Sequence, residues 1–230
     1  MSEDKLTEAF SESIKGDFLS CLGEYAEIGL DSILDDGLLK DVPLISTVTS
    51  IYKIGKSIRD RNYIKKLVIF LDAINRNVAD DVEREKYENK FKENPNFRNK
   101  ELEYILVIID RYISYDKPAM IAKLYLAYLS DVLSWIEFSS YAEILDKLLP
   151  YDWDFFSSDL NYDSIFIKSL AMQDIFLRLC GIGLIRKKYK ELPHNVDDDG
   201  IIDSVNPDWR ETFVGYERTL FGQKLVDILK

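Results

Sequence analysis

A chain of 230 residues, 47% hydrophobic and 31% charged, has the composition of a globular protein of one or two domains. Its 41 acidic residues against 30 basic ones leave a net charge of −11, which repels phosphate backbones over long range and disfavours generic nucleic-acid binding. Two cysteines, Cys21 and Cys180, make neither a disulfide framework nor a zinc site, and 10 glycines with 6 prolines leave few tight turns for a multi-stranded sandwich.

The first 41 residues read as two helices, the first marked by Leu6, Ala9, Phe10 and Ile14, the second by Tyr25, Ile28, Ile33 and Leu34. They hold eleven acids and three bases, and Asp35-Asp36-Gly37 reads as a terminating turn. Pro43 is pre-shaped to open a third helix, whose expected buried stripe is Leu44, Val48, Ile51, Tyr52 and Ile58. Asp60-Arg61-Asn62 is expected to break or bend the chain, and Ile64, Leu67, Val68, Leu71 and Ile74 then form an amphipathic face. Residues 79–94 are polar, with Tyr87 and Phe91 four apart to pin one weak face; Asn94-Pro95-Asn96 is the stop.

Leu102, Ile105, Leu106, Ile109 and Ile113 mark a strongly apolar helix, and Lys117-Pro118 opens another with Ile121, Leu124, Tyr125 and Tyr128. Ser134 and Glu137 have capping-box spacing, opening a helix expected to run to Leu149 and stop at Pro150. Residues 151–162 read as an aromatic linker. Beyond it a helix through Ile165, Ile167, Leu170 and Ile175 runs to Cys180-Gly181, short strands are expected at 182–189 and 212–216, and a last helix covers 220–229. The expected architecture is all-α or nearly so: an N-terminal helical region over 1–78, a central array over 79–150, and a C-terminal helix–hairpin–helix over 163–230 of winged-helix type.

Two segments stand out as candidate surfaces. Lys53, Lys56, Arg59, Arg61, Lys65 and Lys66, against Asp60 alone, give residues 53–66 a net +5 just after the uncharged stretch 42–52. Such a segment is a partner surface or lies on an anionic membrane. The plainer and favoured reading is a core helix whose cations face the acidic first 41 residues. Tyr151, Trp153, Phe155 and Phe156 form the second candidate, an interaction segment or a clasp between subdomains.

Other motifs are weaker. Asn195-Val196-Asp197-Asp198-Asp199-Gly200 resembles half a calcium loop, but Asn195 and Asn206 stand where aspartate and a bidentate glutamate belong. Arg186-Lys187-Lys188-Tyr189-Lys190 reads as a solvated strand edge or a phosphate-touching wing. His194, the only histidine, has no serine or cysteine at readable spacing. No metal, cofactor or catalytic residue is expected. Met1-Ser2-Glu3-Asp4-Lys5 is not the basic start of a signal peptide, no apolar run spans a bilayer, and the cytoplasm is the expected location.

Several stretches carry a family resemblance: Ile28-Gly29-Leu30-Asp31, Asp35-Asp36-Gly37-Leu38-Leu39-Lys40, Val42-Pro43-Leu44-Ile45-Ser46, the run from Tyr52 to Arg61 followed by Lys65-Lys66-Leu67, Leu179 to Ile185, and Thr219 to Leu225. They resemble uncharacterised bacterial helical proteins related to the abortive-infection alpha family. The resemblance implies a helical bacterial protein found among antiviral defence genes, and transfers no catalytic residue. The leading expectation is a non-enzymatic interaction protein with a protein partner or a second copy of itself. The alternatives are a membrane-acting effector using residues 42–66, a winged-helix regulator using 182–216, and an enzyme built from scattered carboxylates.

Overall fold

A computed structural model of the chain describes residues 5–15, 42–53, 57–78, 81–158, 170–191 and 211–230. These residues form ten helices and one two-stranded antiparallel sheet, grouped into two compact units that meet in sequence at Asp146 and Lys147.

The first unit contains α1 (Lys5–Lys15), α2 (Pro43–Ile51), α3 (Ile58–Asn77), α4 (Asp81–Glu93), α5 (Pro95–Arg111), α6 (Asp116–Leu129) and α7 (Trp135–Lys147). Helix α3 packs along α6, and α1 lies against α2 and α5. The expected stripes of α1 and α3 are buried throughout, as are Tyr87 and Phe91 of α4. Phe10 sits at the centre of the core. Its ring lies 5.2 Å from Phe91, 6.0 Å from Tyr125 and 6.2 Å from Phe70, which ties four helices together.

The helix starts follow from their caps. Asn94 accepts from the Phe97 N–H at 3.3 Å, so Asn94-Pro95 ends α4 and at once opens α5. The Ser134–Glu137 capping box forms, with Ser134 N donating to Glu137 Oε2 at 2.8 Å and Glu137 N to Ser134 Oγ at 3.2 Å. A second box, Ser57 with Asp60, opens α3, and the expected break at Asp60-Arg61-Asn62 does not occur. Asp60 is the third residue of the helix, where a carboxylate is favoured, so a polar triplet that resembles a turn is the first turn of a twenty-residue helix.

Apolar burial also differs at three places. Ile51, Tyr52 and Ile58, expected in a buried stripe, are 41%, 47% and 81% exposed, because α2 ends at Ile51 and the chain turns before α3. Ile113 lies beyond the end of α5 and is likewise exposed.

The second unit contains α8 (Pro150–Ser157), α9 (Leu170–Gly181), β1 (Ile185–Glu191), β2 (Glu211–Arg218) and α10 (Leu220–Leu229). The start of the expected aromatic linker is helical: Pro150 opens α8 as its first residue rather than merely stopping α7, which ends at Lys147. The expected hairpin is present. It pairs Ile185 with Arg218 and Glu191 with Glu211, with an irregularity between Lys188 and Tyr189. Its first strand starts later than 182 because Gly183 adopts φ +78° in the turn after α9. Phe176 of α9 stacks on Tyr216 of β2 at 4.4 Å, which fastens the hairpin to the helix.

Candidate interaction cleft

The C-terminal end of α2, the first turns of α3 and the last turns of α5 enclose a cleft of about 350 Å³. Its lining combines two tyrosines, two aliphatic side chains and two guanidinium groups, with two aspartates between them. Tyr52 follows α2, Arg59 and Tyr63 come from α3, and Leu106, Val107, Asp110 and Arg111 come from α5.

Each wall has a local cause. On α3, Tyr63 is eight per cent exposed and its phenol is driven to a higher pKa, first by burial and then by Tyr52 and Asp110. Tyr52 shifts the same way, by burial and then by Glu103. On α5, Leu106 faces the core while its neighbour Val107 is 57% exposed, since adjacent helical residues point about 100° apart. Arg59 Nη2 meets Asp110 Oδ2 at 2.5 Å, and Arg111 pairs with Glu143 and Asp146 of α7. Tyr115 Oη donates to Asn62 Oδ1 at 2.7 Å, a further link between α3 and the segment after α5.

Lys66 closes the back of the arrangement. Only 5% exposed, it donates from Nζ to the carbonyls of Asp110 at 2.7 Å and Tyr112 at 2.8 Å. Those carbonyls belong to the C-terminal end of α5, where a cation suits the helix dipole. Burial lowers the Lys66 pKa; Asp110 works against that, and Arg59 with it.

The six cations anticipated as one surface therefore separate. Lys53 is exposed in a left-handed conformation, φ +49°, just after α2. Arg59 and Arg61 are exposed, Lys65 is half-buried, and Lys56 lies outside the described residues. Lys66 does not belong to an exposed cationic face, because its ammonium is needed inside to satisfy helix-end carbonyls. Leu44, Ile45 and Val48 of α2 are buried, with Leu44 N donating to Ser13 Oγ of α1 at 2.8 Å. Among the described residues of this segment, the exposed large apolar side chains are Ile51, Tyr52 and Ile58.

The aromatic segment is mostly structural. Phe156 is fully buried, Phe155 lies 5.3 Å from Phe176, and Trp153 lies 6.1 Å from Phe156. Arg218 donates to the Phe156 and Ser158 carbonyls at 2.6 and 2.5 Å, and Asp152 takes a bidentate pair from Arg178 at 2.8 and 2.6 Å. Tyr151 alone points outward, 80% exposed.

In the hairpin, Arg186, Lys187 and Lys188 are exposed, and Arg186 pairs with Glu217 across the strands. The preceding α9 exposes Gln173, Asp174, Leu177 and Arg178, and the guanidinium of Arg178 is held by Asp152. The half calcium loop and His194 lie outside the described residues. Among the described residues, no group of three or more His, Cys, Asp or Glu side chains is placed to hold a metal ion, and no helix is long and apolar enough to cross a membrane.

The cleft was only partly legible in sequence. Charge patterning marks Arg59 in the sequence; Tyr52 falls on the expected buried stripe of α2, and neither charge runs nor motif spacing marks Asp110 or Arg111. The readable signal was Val107, an aliphatic residue off the buried stripe of α5. No protein-family model matches the chain, and no curated protein and no solved structure matches it at a significant level.

Proposed function

We propose that the chain is a non-enzymatic helical interaction protein that docks a protein partner in the cleft between α2, α3 and α5. One observation carries this reading: Tyr52 and Val107, 47% and 57% exposed, line the same cleft as two guanidinium groups. Large apolar side chains gathered in water mark a partner site. Tyrosine and arginine are also the residue types that dominate interface hot spots, because they bring broad contact area with a polar end. Both guanidiniums are held by carboxylates in the free protein, so the walls are ordered before a partner arrives.

The resemblance carried by Tyr52 to Arg61 and by the Leu179–Ile185 and Thr219–Leu225 stretches supports a place in bacterial antiviral defence. Two widely separated cysteines support a reducing, cytoplasmic setting.

The test is a pull-down from a native host, with light scattering of the purified chain, on wild type, Val107→Asp and Ile136→Asp. Both substituted residues are well exposed, so both variants should fold, and Ile136 on α7 is not among the residues lining the cleft. The expected result is a partner held by wild type and Ile136→Asp and lost by Val107→Asp. A monomer that captures nothing, or capture unaffected by Val107→Asp, removes the proposal.

A further inference from the structure

We infer that the last turn of α2 is a lid on the cleft. It carries Tyr52, is pinned at its far end by Ser13 of α1, and opens without the rest of the first unit unfolding. The part the lid plays in partner binding rests on the cleft reading; the motion itself belongs to the free chain.

The walls of the cleft are not equally held. Lys66 ties α3 to two carbonyls at the end of α5, and Arg59 with Asp110 and Tyr115 with Asn62 add further links. Helix α2 is built differently. Five of its nine residues, Ile45, Thr47, Val48, Thr49 and Ile51, are β-branched and lose rotamer freedom in a helix. Valine at its N-cap has no oxygen to offer the free backbone N–H groups, and neither an acid in the first turn nor a base in the last complements the dipole. The cap comes from α1 instead: Ser13 Oγ, fully buried, accepts from the Leu44 N–H at 2.8 Å. Leu44, Ile45 and Val48 anchor the same end in the core. Among the described residues, α2 packs chiefly on α1 and less on α3.

The other end is held more weakly. Residues 50–53 are all exposed, and the Tyr52 N–H bonds back to the Val48 carbonyl at 3.0 Å. Lys53 then follows the C-cap at φ +49°, a left-handed position that favours glycine because a Cβ is crowded there. A helix pinned at its start and strained at its stop opens from the stop. Tyr52 then leaves the wall it shares with Tyr63, Leu106 and Val107. Ser13 and Lys53 set how often this happens, and neither is among the residues lining the cleft. A closed lid presents Tyr52 ready for contact, so a partner binds more tightly when the lid is held shut.

The test is amide hydrogen exchange, read by NMR on the free, intact chain. Amides 49–52 are expected to exchange at least about tenfold faster than amides 64–74 of α3. Lys53→Gly should slow 49–52 about fivefold by removing the left-handed strain. Ser13→Ala should speed them about fivefold, the effect of a lost cap. Both variants should leave 64–74 unchanged. Equal protection of the two regions, or no slowing by Lys53→Gly, overturns the inference. So does equal acceleration of both regions by Ser13→Ala, which would mean that α2 opens only with the whole unit. Lys53 is on the surface, so Lys53→Gly decides the matter even where Ser13→Ala does not fold. A chain that captures no partner removes the cleft reading, and the exchange rates still decide the lid.

Discussion

Among the buried polar side chains of the first unit, Lys66 and Tyr125 have opposite consequences. Lys66 satisfies two carbonyls at the end of α5. Tyr125 is fully buried and its hydroxyl has no hydrogen-bond partner. Removing a donor from buried acceptors leaves their full desolvation cost, whereas removing an orphaned group relieves it. Lys66→Met is therefore expected to lower stability by about 2 kcal/mol. Tyr125→Phe should fall within about 0.5 kcal/mol of wild type or exceed it. Urea titration with an unchanged slope checks both. The burial of Lys66 was foreshadowed by its place in sequence: it lies three residues after Tyr63 and four before Phe70, on the stripe that faces the core. Charge alone hid it, since a lysine at such a position is read as surface until its partners are seen.

At the scale of elements, short polar signals set the helix boundaries. Ser134 with Glu137 was legible because the chain around it offered no competing turn. Ser57 with Asp60 was obscured by the Arg61-Asn62 pair that follows, which also suits a turn. The close packing of α10 on the turn before β1 shows a constraint that no spacing rule reveals. A Cβ on Gly222 would stand 2.2 Å from the Leu184 carbonyl oxygen and 3.1 Å from the Phe156 ring. On an open helix Gly→Ala is stabilising by about 1 kcal/mol, but a clash with backbone outweighs that. Gly222→Ala is expected to destabilise the second unit by about 3 kcal/mol. Faster amide hydrogen exchange across β1 and α10 would show it, and unchanged protection would refute the tight contact.

For the molecule as a whole, the density of buried phenols sets the response to alkali. Eight described tyrosines have raised pKa values, all chiefly through burial. Tyr87, Tyr104, Tyr128 and Tyr141 are each pushed up to about 12. A group whose folded pKa lies above its unfolded value stabilises fully below the unfolded pKa and loses that contribution as pH rises through the folded one. Lys66 and Lys117 are lowered, so they act in the opposite sense, but they are two against eight. The melting temperature should therefore hold up to about pH 10 and fall steeply toward pH 12, in step with tyrosinate absorbance. A flat profile across that interval would mean that the phenols are solvated.

Hydrophobic spacing by itself determined the helical class, most helix positions and the hairpin near the C-terminus, because burial on one face imposes a period that any reader of the chain can find. Tertiary packing alone decided which members of a stripe remain in water. Ile51, Tyr52 and Val107 are as greasy as their buried neighbours, and their exposure depends on where α2 ends and how α5 is rotated. It also decided which of six cations turned inward, since a helix end 44 residues away in sequence supplied the carbonyls that hold Lys66.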